Sequence, residues 1–291
     1  MNFVWPDLLW LLLALPALVA LYLWLLYRRK KNTVRFASLA MDVSGSMRAA
    51  DVHPNRLVAS QEAAKAFIKD LPRSVRVGVV SFAGTAAVVQ PPTQSREDIV
   101  AAIDRFQLQR GTAIGSGIVL SLATMFPDDG IDLSQITGAR NMPLGPGDKP
   151  KKEFTPVQPG SYPSGAIIML TDGQRTTGPD PMDAAKMAAD RGVKVYSVGI
   201  GTKEGETIGF EGWSMRVRLD EETLKNIANL TRAEYFYAGT ADDLKKVYQS
   251  LSTRLVVEKK ETEISGLFAA AAAALVVVAA GLSVAWFGRV M

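Results

Sequence analysis

The sequence has no cysteine and only one histidine among its 291 residues. The missing thiols exclude a disulfide framework, a thiolate metal site and a cysteine nucleophile, although they do not fix the cellular compartment. The single histidine, His53, precedes Pro54 in a predicted loop, where a turn role is more common than a catalytic one. We therefore expect a protein that is not an enzyme of the sulfur- or imidazole-dependent kind.

An excess of charge of one sign is also missing. The chain carries 33 basic and 29 acidic residues, a formal net charge of +4. This excess is too small to predict nucleic acid as a partner. With 48% apolar residues, a chain of this length can bury a substantial core. Much of the apolar content lies in two long uncharged runs near the ends, which divide the chain into a middle region and two flanking segments.

The first uncharged run, Leu8–Tyr27, contains 20 residues, mostly Leu, Ala and Trp. A helix rises about 1.5 Å per residue, so this run spans the roughly 30 Å hydrocarbon layer of a membrane. A cleaved signal peptide is the alternative, but the run is too long, and its basic residues, Arg28–Lys31, follow it instead of preceding it. The sequence predicts an uncleaved transmembrane helix over residues 5–27.

The second uncharged run, Ile264–Gly288, contains 25 residues and predicts another transmembrane helix over residues 264–288. Small residues spaced four apart, such as Gly281 and Ala285, permit close helix contact. They equally fit a weakly hydrophobic span, and the sequence leaves both interpretations open. The positive-inside rule, applied to Arg28–Lys31, predicts that the region between the two spans faces the cytoplasm.

The middle region, residues 34–257, alternates short β-type runs with helical patterns, which is typical of an α/β domain with an open, mostly parallel sheet. The predicted strands are Phe36–Met41, Val75–Phe82, Ala166–Leu170, Val193–Val198 and Glu234–Tyr237, with hairpins at Ala86–Val89 and Ile208–Leu219. The predicted helices are Asn55–Asp70, Ser95–Phe106, Ile114–Phe126, Asp183–Arg191, Asp220–Leu230 and Ala241–Val257. Residues 127–164 break the pattern because 12 of them are Gly or Pro, so a long surface insertion is expected there.

Three loops of this domain carry oxygen-bearing side chains. The segment from Asp42 to Ser46 (DVSGS) follows the first strand, Thr112 precedes a helix, and Asp172 follows a buried strand. Because ligands collect at the carboxyl ends of strands in open parallel sheets, these loops can converge. Two carboxylates and three hydroxyls are hard donors that suit Mg²⁺ or Mn²⁺ and are poor for Zn²⁺. The expected metal ligands are Asp42, Ser44, Ser46, Thr112 and Asp172.

This pattern resembles the von Willebrand factor A (VWA) domain family. Its metal-ion-dependent adhesion site (MIDAS) has an Asp-x-Ser-x-Ser loop, a threonine in a second loop and an aspartate in a third. The resemblance covers roughly residues 34–257 and implies a Rossmann-like sheet flanked by helices. It also implies that the serines and the threonine touch the metal, that the aspartates bind it directly or through water, and that one coordination position stays open for a carboxylate of a protein partner.

The wider pattern is similar to the bacterial Bat-type membrane VWA proteins. The matching features are Asp51–Arg56 (DVHPNR), Gly111–Gly115 (GTAIG) and the terminal spans. This resemblance implies the bacterial cytoplasmic (inner) membrane as the location and a MoxR-type AAA+ ATPase or envelope proteins as partners. Bat-type proteins usually carry two spans before the domain, which would place it in the periplasm. The single predicted span before this domain instead places it in the cytoplasm.

Two other functions are open on the sequence alone. The first is a Mg²⁺-dependent hydrolase with Asp42 as an aspartyl nucleophile. Phosphotransfer sites of that kind usually have a second carboxylate two positions later, where this chain has Ser44, and the sequence offers no candidate general base. The second is a membrane scaffold with a vestigial metal site, which would share the fold and the spans. Binding of a partner only in the presence of metal distinguishes the adhesion hypothesis from both.

Overall fold

A computed structural model of the chain describes residues 35–131, 133, 155–210 and 213–257, together with scattered helical positions between 269 and 281. The predicted transmembrane helix over residues 5–27 lies outside the described residues, and so does most of the one over residues 264–288. Among the residues that are described, no helix is long and apolar enough to cross a membrane. The described part is dominated by one compact unit, Val34–Glu258.

The compact unit contains eight described strands and six described helices. The strands are β1 (Arg35–Asp42), β2 (Val75–Phe82), β3 (Ala86–Thr93), β4 (Gly165–Thr171), β5 (Lys194–Ile200), β6 (Glu206–Phe210), β7 (Trp213–Val217) and β8 (Tyr235–Ala238). The helices are α1 (Arg56–Asp70), α2 (Arg96–Asp104), α3 (Ile114–Met125), α4 (Pro181–Asp190), α5 (Glu221–Leu230) and α6 (Ala241–Val257), with a short 3-10 helix at Gly45–Arg48. Every strand and helix predicted for the middle region is present, and the predicted hairpin strand at Ala86–Val89 continues to Thr93.

Six strands form one sheet in the order β3-β2-β1-β4-β5-β8, and β6 pairs with β7 in a separate hairpin. All neighbours in the large sheet are parallel except β2 and β3, which confirms the expected open, mostly parallel α/β sheet. The chain leaves the central strand β1 toward β2 on one side and later returns to β4 on the other. The carboxyl ends of β1 and β4 therefore flank the topological switch point, where open α/β sheets bind ligands.

Helices cover both faces of the sheet because its central strands are apolar on both sides. One core packs α1, α2 and α6 against side chains such as Leu39 and Met41, and includes Phe67 of α1. The other core packs α3, α4 and α5 against side chains such as Ala40 and Met169. Alternate residues of β1 thus point to opposite cores, as the two-residue period of a strand requires. Burial on both faces fixes the register of β1 and so the position of its carboxyl end.

Side-chain caps determine where several helices begin. Asn55, Ser95 and Asp220 each accept a hydrogen bond from a backbone N–H in the first turn of the following helix. Each of these three helices therefore begins one residue after its predicted start, because the cap itself is not helical. Helix α4 begins earlier than predicted, at Pro181, since a proline is favourable in the first turn and Asp180 caps it.

The predicted insertion at residues 127–164 lies partly outside the described residues. Its described end, residues 155–164, returns to the sheet beside α4. The N–H of Val157 donates to the carbonyl of Asp190 at 2.7 Å, and the N–H of Tyr162 donates to the carbonyl of Gly192 at 2.9 Å. These bonds anchor the end of the insertion to the last residue of α4 and to the turn that follows it.

Candidate metal site

Asp42 and Asp172 lie at the ends of two adjacent parallel strands. Asp42 is the last residue of β1, and Asp172 immediately follows β4. Since Met41 pairs with Leu170 in the sheet, both carboxylates leave the same edge. Both side chains are completely buried. The fold thus brings together two acidic residues that are 130 positions apart in the sequence.

Both carboxylate oxygens of Asp42 accept hydrogen bonds. Oδ1 accepts the N–H of Ser44 at 2.8 Å, and Oδ2 accepts the hydroxyl of Thr171 at 2.5 Å. Burial raises the pKa of Asp42 to about 7, and repulsion from the Asp172 carboxylate adds to the shift. These two hydrogen bonds favour the ionised form but do not offset the loss of water. A cation beside Asp42 would supply the missing compensation.

The two serines of the first loop lie side by side. Ser44 precedes the short 3-10 helix, Ser46 lies inside it, and their Oγ atoms are 2.9 Å apart. Both serines are buried. The tight turn after β1 produces this arrangement, because it directs two side chains of an alternating Asp-x-Ser-x-Ser segment inward. The serine hydroxyls and the Asp42 carboxylate together provide oxygen donors from a single loop.

Thr112, in the loop before α3, is also buried. Its N–H donates to the hydroxyl of Thr176 at 2.8 Å, and its carbonyl accepts the N–H groups of Thr176 and Thr177. The same loop is joined to the first one, since the N–H of Gln109 donates to the carbonyl of Val43 at 2.8 Å. Backbone hydrogen bonds therefore connect the threonine loop to both of the aspartate loops.

Asp172 is held by side-chain and backbone contacts. Oδ1 accepts the N–H of Gln174 at 3.1 Å, and Oδ2 accepts Nη1 of Arg56 at 3.1 Å. Its carbonyl accepts the N–H of Asp220 at 2.8 Å. Burial raises the pKa of Asp172, and a hydrogen bond from Ser46 and the charge of Arg56 only partly oppose that effect. The first and third loops meet at their starts, where the hydroxyl of Thr171 donates to Asp42.

Arg56 is a residue of this site that the sequence analysis did not place there. It is completely buried and lies between Asp172 and Asp51, with Nη2 only 2.6 Å from Asp51 Oδ2. A signal was present in the sequence, because Arg56 lies four positions before Ser60 and eleven before Phe67, on the buried face of α1. A basic residue in the first turn also opposes the helix dipole, which indicates a specific partner.

Thr171 also belongs to this site, although it is not among the predicted ligands. Its hydroxyl oxygen donates to Asp42 and accepts the N–H of Gly173 at 3.1 Å. A hydroxyl at the end of a buried strand, directly before an aspartate, was the available signal. Gly173 itself has φ +80°, and a Cβ there would lie 2.5 Å from the carbonyl oxygen of Asp220. Only glycine lets the third loop turn this closely against α5.

The donor set fits a hard divalent cation. Asp42, Asp172 and Asp51 carry three negative charges when ionised, and Arg56 neutralises one of them. Within the described parts of the chain, no group of three or more acidic, histidine or cysteine side chains could hold a metal ion. Any ion in this position would therefore depend on the hydroxyl oxygens as well as on the two buried carboxylates. Such oxygen donors suit Mg²⁺ and Mn²⁺.

A mostly parallel sheet that carries an Asp-x-Ser-x-Ser loop, a threonine loop and an aspartate loop at one edge belongs to the class of open α/β domains whose ligand sites lie at the carboxyl ends of the strands. Two family models described as von Willebrand factor type A domain match residues 38–139 and 160–250, and the chain belongs to that family. A model described as aerotolerance regulator N-terminal (BatA) matches residues 1–68. The predicted membership of the VWA family, with resemblance to Bat-type proteins, is confirmed.

Two relatives illustrate the similarity over the domain. A UPF0353 protein of Mycolicibacterium vanbaalenii is 36% identical over 226 residues, which cover 76% of this chain and 60% of that protein. A UPF0353 protein of Nocardia farcinica is 33% identical over 242 residues, which cover 78% of this chain and 65% of that protein. The chain therefore spans less than two thirds of the length of either relative.

Two solved structures share the fold. The protein BatB of Bacteroides thetaiotaomicron is 24% identical with a TM-score of 0.56, and an aerotolerance-related membrane protein of Bacteroides fragilis is 22% identical with a TM-score of 0.59. Each comparison covers 76% of this chain and 98% of the other. At this level of identity the likeness establishes the architecture of the domain and nothing about its ligands.

Proposed function

We propose that the chain is a membrane-anchored VWA protein that binds Mg²⁺ or Mn²⁺ and uses the ion to bind a carboxylate of a protein partner. The ligands are Asp42, Ser44, Ser46, Thr112 and Asp172. The observation that carries the proposal is the burial of two carboxylates on adjacent strands beside a pair of serine hydroxyls. Burying two carboxylates together is costly without a cation.

The chemistry of the five proposed ligands gives each of them a role in binding the ion. Asp42 and Asp172 supply negative charge, while the three hydroxyls supply neutral oxygens. Protein hydrogen bonds already engage both carboxylate oxygens of Asp42 and both of Asp172, so each carboxylate is less available to neutralise an ion directly. A bound divalent cation would therefore keep enough positive charge to attract one more anionic oxygen ligand. We propose that a carboxylate of the partner is this ligand.

The residues around Asp42 favour a binding role over a hydrolytic one. Ser44 stands two positions after Asp42, where phosphotransfer sites usually have a second carboxylate, and its N–H donates to Asp42. His53 is exposed in the loop before α1 and does not contact the carboxylates among the described hydrogen bonds. We therefore propose a non-catalytic adhesion function.

The test is a pulldown of candidate partners by the full chain in detergent, with a MoxR-type AAA+ ATPase as the first candidate. Capture in MgCl₂ that is lost with EDTA and with Asp42→Ala or Asp172→Ala supports the proposal. Asp104→Ala, on the exposed surface of α2, is the matched control. Capture that is indifferent to metal indicates the scaffold, and release of phosphate from a model ester indicates the hydrolase.

We further propose that the protein resides in the bacterial inner membrane through residues 5–27 and 264–288. The match of residues 1–68 to the BatA model supports this location, and the Bacteroides fragilis structure is described as a membrane protein. The positive charges at Arg28–Lys31 favour a cytoplasmic domain, whereas the Bat-type resemblance favours a periplasmic one.

Because the chain has no cysteine, an introduced cysteine can report on which side of the membrane the domain lies. A single cysteine at the exposed Lys203 can be labelled with a membrane-impermeant maleimide. Labelling in intact spheroplasts places the domain in the periplasm, and labelling only after permeabilisation places it in the cytoplasm. The unmodified chain, which has no thiol, is the blank.

A further inference from the structure

The segment from Asp51 to Arg56 has no role in the proposed ligand set, yet its two ends form a two-point ion pair beside the site. The guanidinium of Arg56 donates from Nε to Asp51 Oδ1 at 2.7 Å and from Nη2 to Asp51 Oδ2 at 2.6 Å. This two-point contact fixes the plane of the guanidinium. The remaining nitrogen, Nη1, then points to Oδ2 of Asp172 at 3.1 Å.

Asp51 also accepts two hydrogen bonds from Thr202. Its Oδ2 accepts the N–H of Thr202 at 2.9 Å and the hydroxyl of Thr202 at 3.0 Å. Thr202 follows β5, the strand next to β4 in the sheet. A continuous chain of hydrogen bonds therefore runs from the loop after β5, through Asp51 and Arg56, to the carboxylate of Asp172.

We propose that Arg56 is a positioning residue of the metal site, and this inference rests on the proposed function. Arg56 holds the Asp172 carboxylate in one orientation, and Asp51 with Thr202 holds Arg56, so Asp172 would be positioned before an ion binds. Partners that orient a metal ligand from behind commonly contribute 10–100-fold to metal affinity. Burying a guanidinium this deeply is favourable only because both of its carboxylate partners are in place.

The opposite role for Arg56 predicts the opposite result. If Arg56 only substituted for the metal as a counter-charge, its positive charge would repel the ion, and removing it would tighten binding. If Arg56 positions Asp172, removing it weakens binding although a repulsive charge is lost. The direction of the change in affinity therefore distinguishes the two roles without reference to its size.

The experiment titrates the full chain in detergent with MgCl₂ and MnCl₂ by calorimetry. We expect Arg56→Gln and the charge-preserving Arg56→Lys each to weaken metal binding about 10-fold or more, since a lysine cannot contact both carboxylates with a fixed fork. Arg96→Gln is the control, because Arg96 binds the carbonyls of Pro72 and Val75 away from the site. Unfolding in urea with EDTA verifies that each variant is folded.

The outcomes separate this inference from the proposed function. No heat of binding in the wild type overturns the metal site itself. Binding in the wild type that is unchanged in Arg56→Lys, or tighter in Arg56→Gln, overturns the positioning role and leaves the metal site standing. If neither Arg56 variant folds, Thr202→Val takes their place, because it removes a bond to Asp51 without changing any charge. An affinity equal to that of the wild type in Thr202→Val would then refute the proposal.

Discussion

The hydroxyl of Thr171 donates a hydrogen bond to Oδ2 of Asp42 across 2.5 Å, between the last residues of two adjacent strands. This contact fixes the rotation of the Asp42 carboxylate, whose other oxygen accepts the N–H of Ser44. The same hydroxyl oxygen accepts the N–H of Gly173, which places the loop that carries Asp172. Thr171 therefore aligns the two carboxylates with each other.

Replacing Thr171 with valine keeps the shape of the side chain and removes this hydroxyl. A hydrogen bond to a charged group contributes about 1.5–3 kcal/mol, so we expect the free energy of unfolding to fall by about that amount at a pH where Asp42 is ionised. Urea unfolding in EDTA measures the loss. Thr171→Ser, which retains the hydroxyl, is the control, and equal stability of the two variants would contradict the role assigned to Thr171.

The stabilisation by Mg²⁺ should increase with pH. The pKa of Asp42 rises from 3.8 to about 7 because of burial and the Asp172 charge. Between these values the metal-free folded chain binds a proton that the unfolded chain releases, so its stability falls as the pH rises. A bound cation keeps the carboxylate ionised and removes that loss. The shift in unfolding temperature caused by MgCl₂ is therefore expected to be larger at about pH 8 than at about pH 5.5.

Asp42→Asn is the control for this pH dependence. The amide does not titrate, so this variant is expected to lose both the response to MgCl₂ and the contribution of residue 42 to the pH dependence of stability. In EDTA at about pH 8 it should be at least as stable as the wild type, because no charge is buried at that position. An equal response of the wild type to MgCl₂ at both pH values would show that protonation of Asp42 does not compete with the ion.

The sequence was sufficient to predict the sheet and the three oxygen-rich loops. It was not sufficient to predict the side-chain contacts that hold the carboxylates of those loops in place. Strand β1 and the loop after it follow from local patterns, an apolar run and then Asp-x-Ser-x-Ser, so their positions could be predicted. The ion pair of Arg56 with Asp172 joins residues 116 positions apart, and Arg56 does not follow a strand, so the rule that loops meet at the carboxyl ends of strands does not predict its contact. Burial of a charged side chain depends on the assembled fold, which is why Arg56 could be noticed as unusual without its partner being known.

Packing of α3 on the sheet leads to a further prediction. A Cβ added at Gly117 would lie 2.7 Å from Cδ1 of Phe82, so this glycine lets the helix approach β2. Gly117→Ala should force the helix outward and cost about 1–3 kcal/mol, the usual penalty for overpacking a core. Urea unfolding tests this, and the double variant with Phe82→Leu should recover part of the loss. A Gly117→Ala chain as stable as the wild type would show that the helix shifts freely.

Gly201, the residue after β5, provides the most specific test of the contacts around Arg56. It has φ +123°, and a Cβ there would lie 2.6 Å from Nη2 of Arg56. Gly201→Ala should therefore combine backbone strain of about 1–3 kcal/mol with displacement of the guanidinium, which would weaken metal binding as well as stability. Gly209→Ala is the matched control, since a Cβ at Gly209 has no neighbour within 4 Å. Calorimetric titration with MnCl₂, together with urea unfolding, separates the two effects, because strain alone would lower stability and leave the metal affinity of the folded chain unchanged.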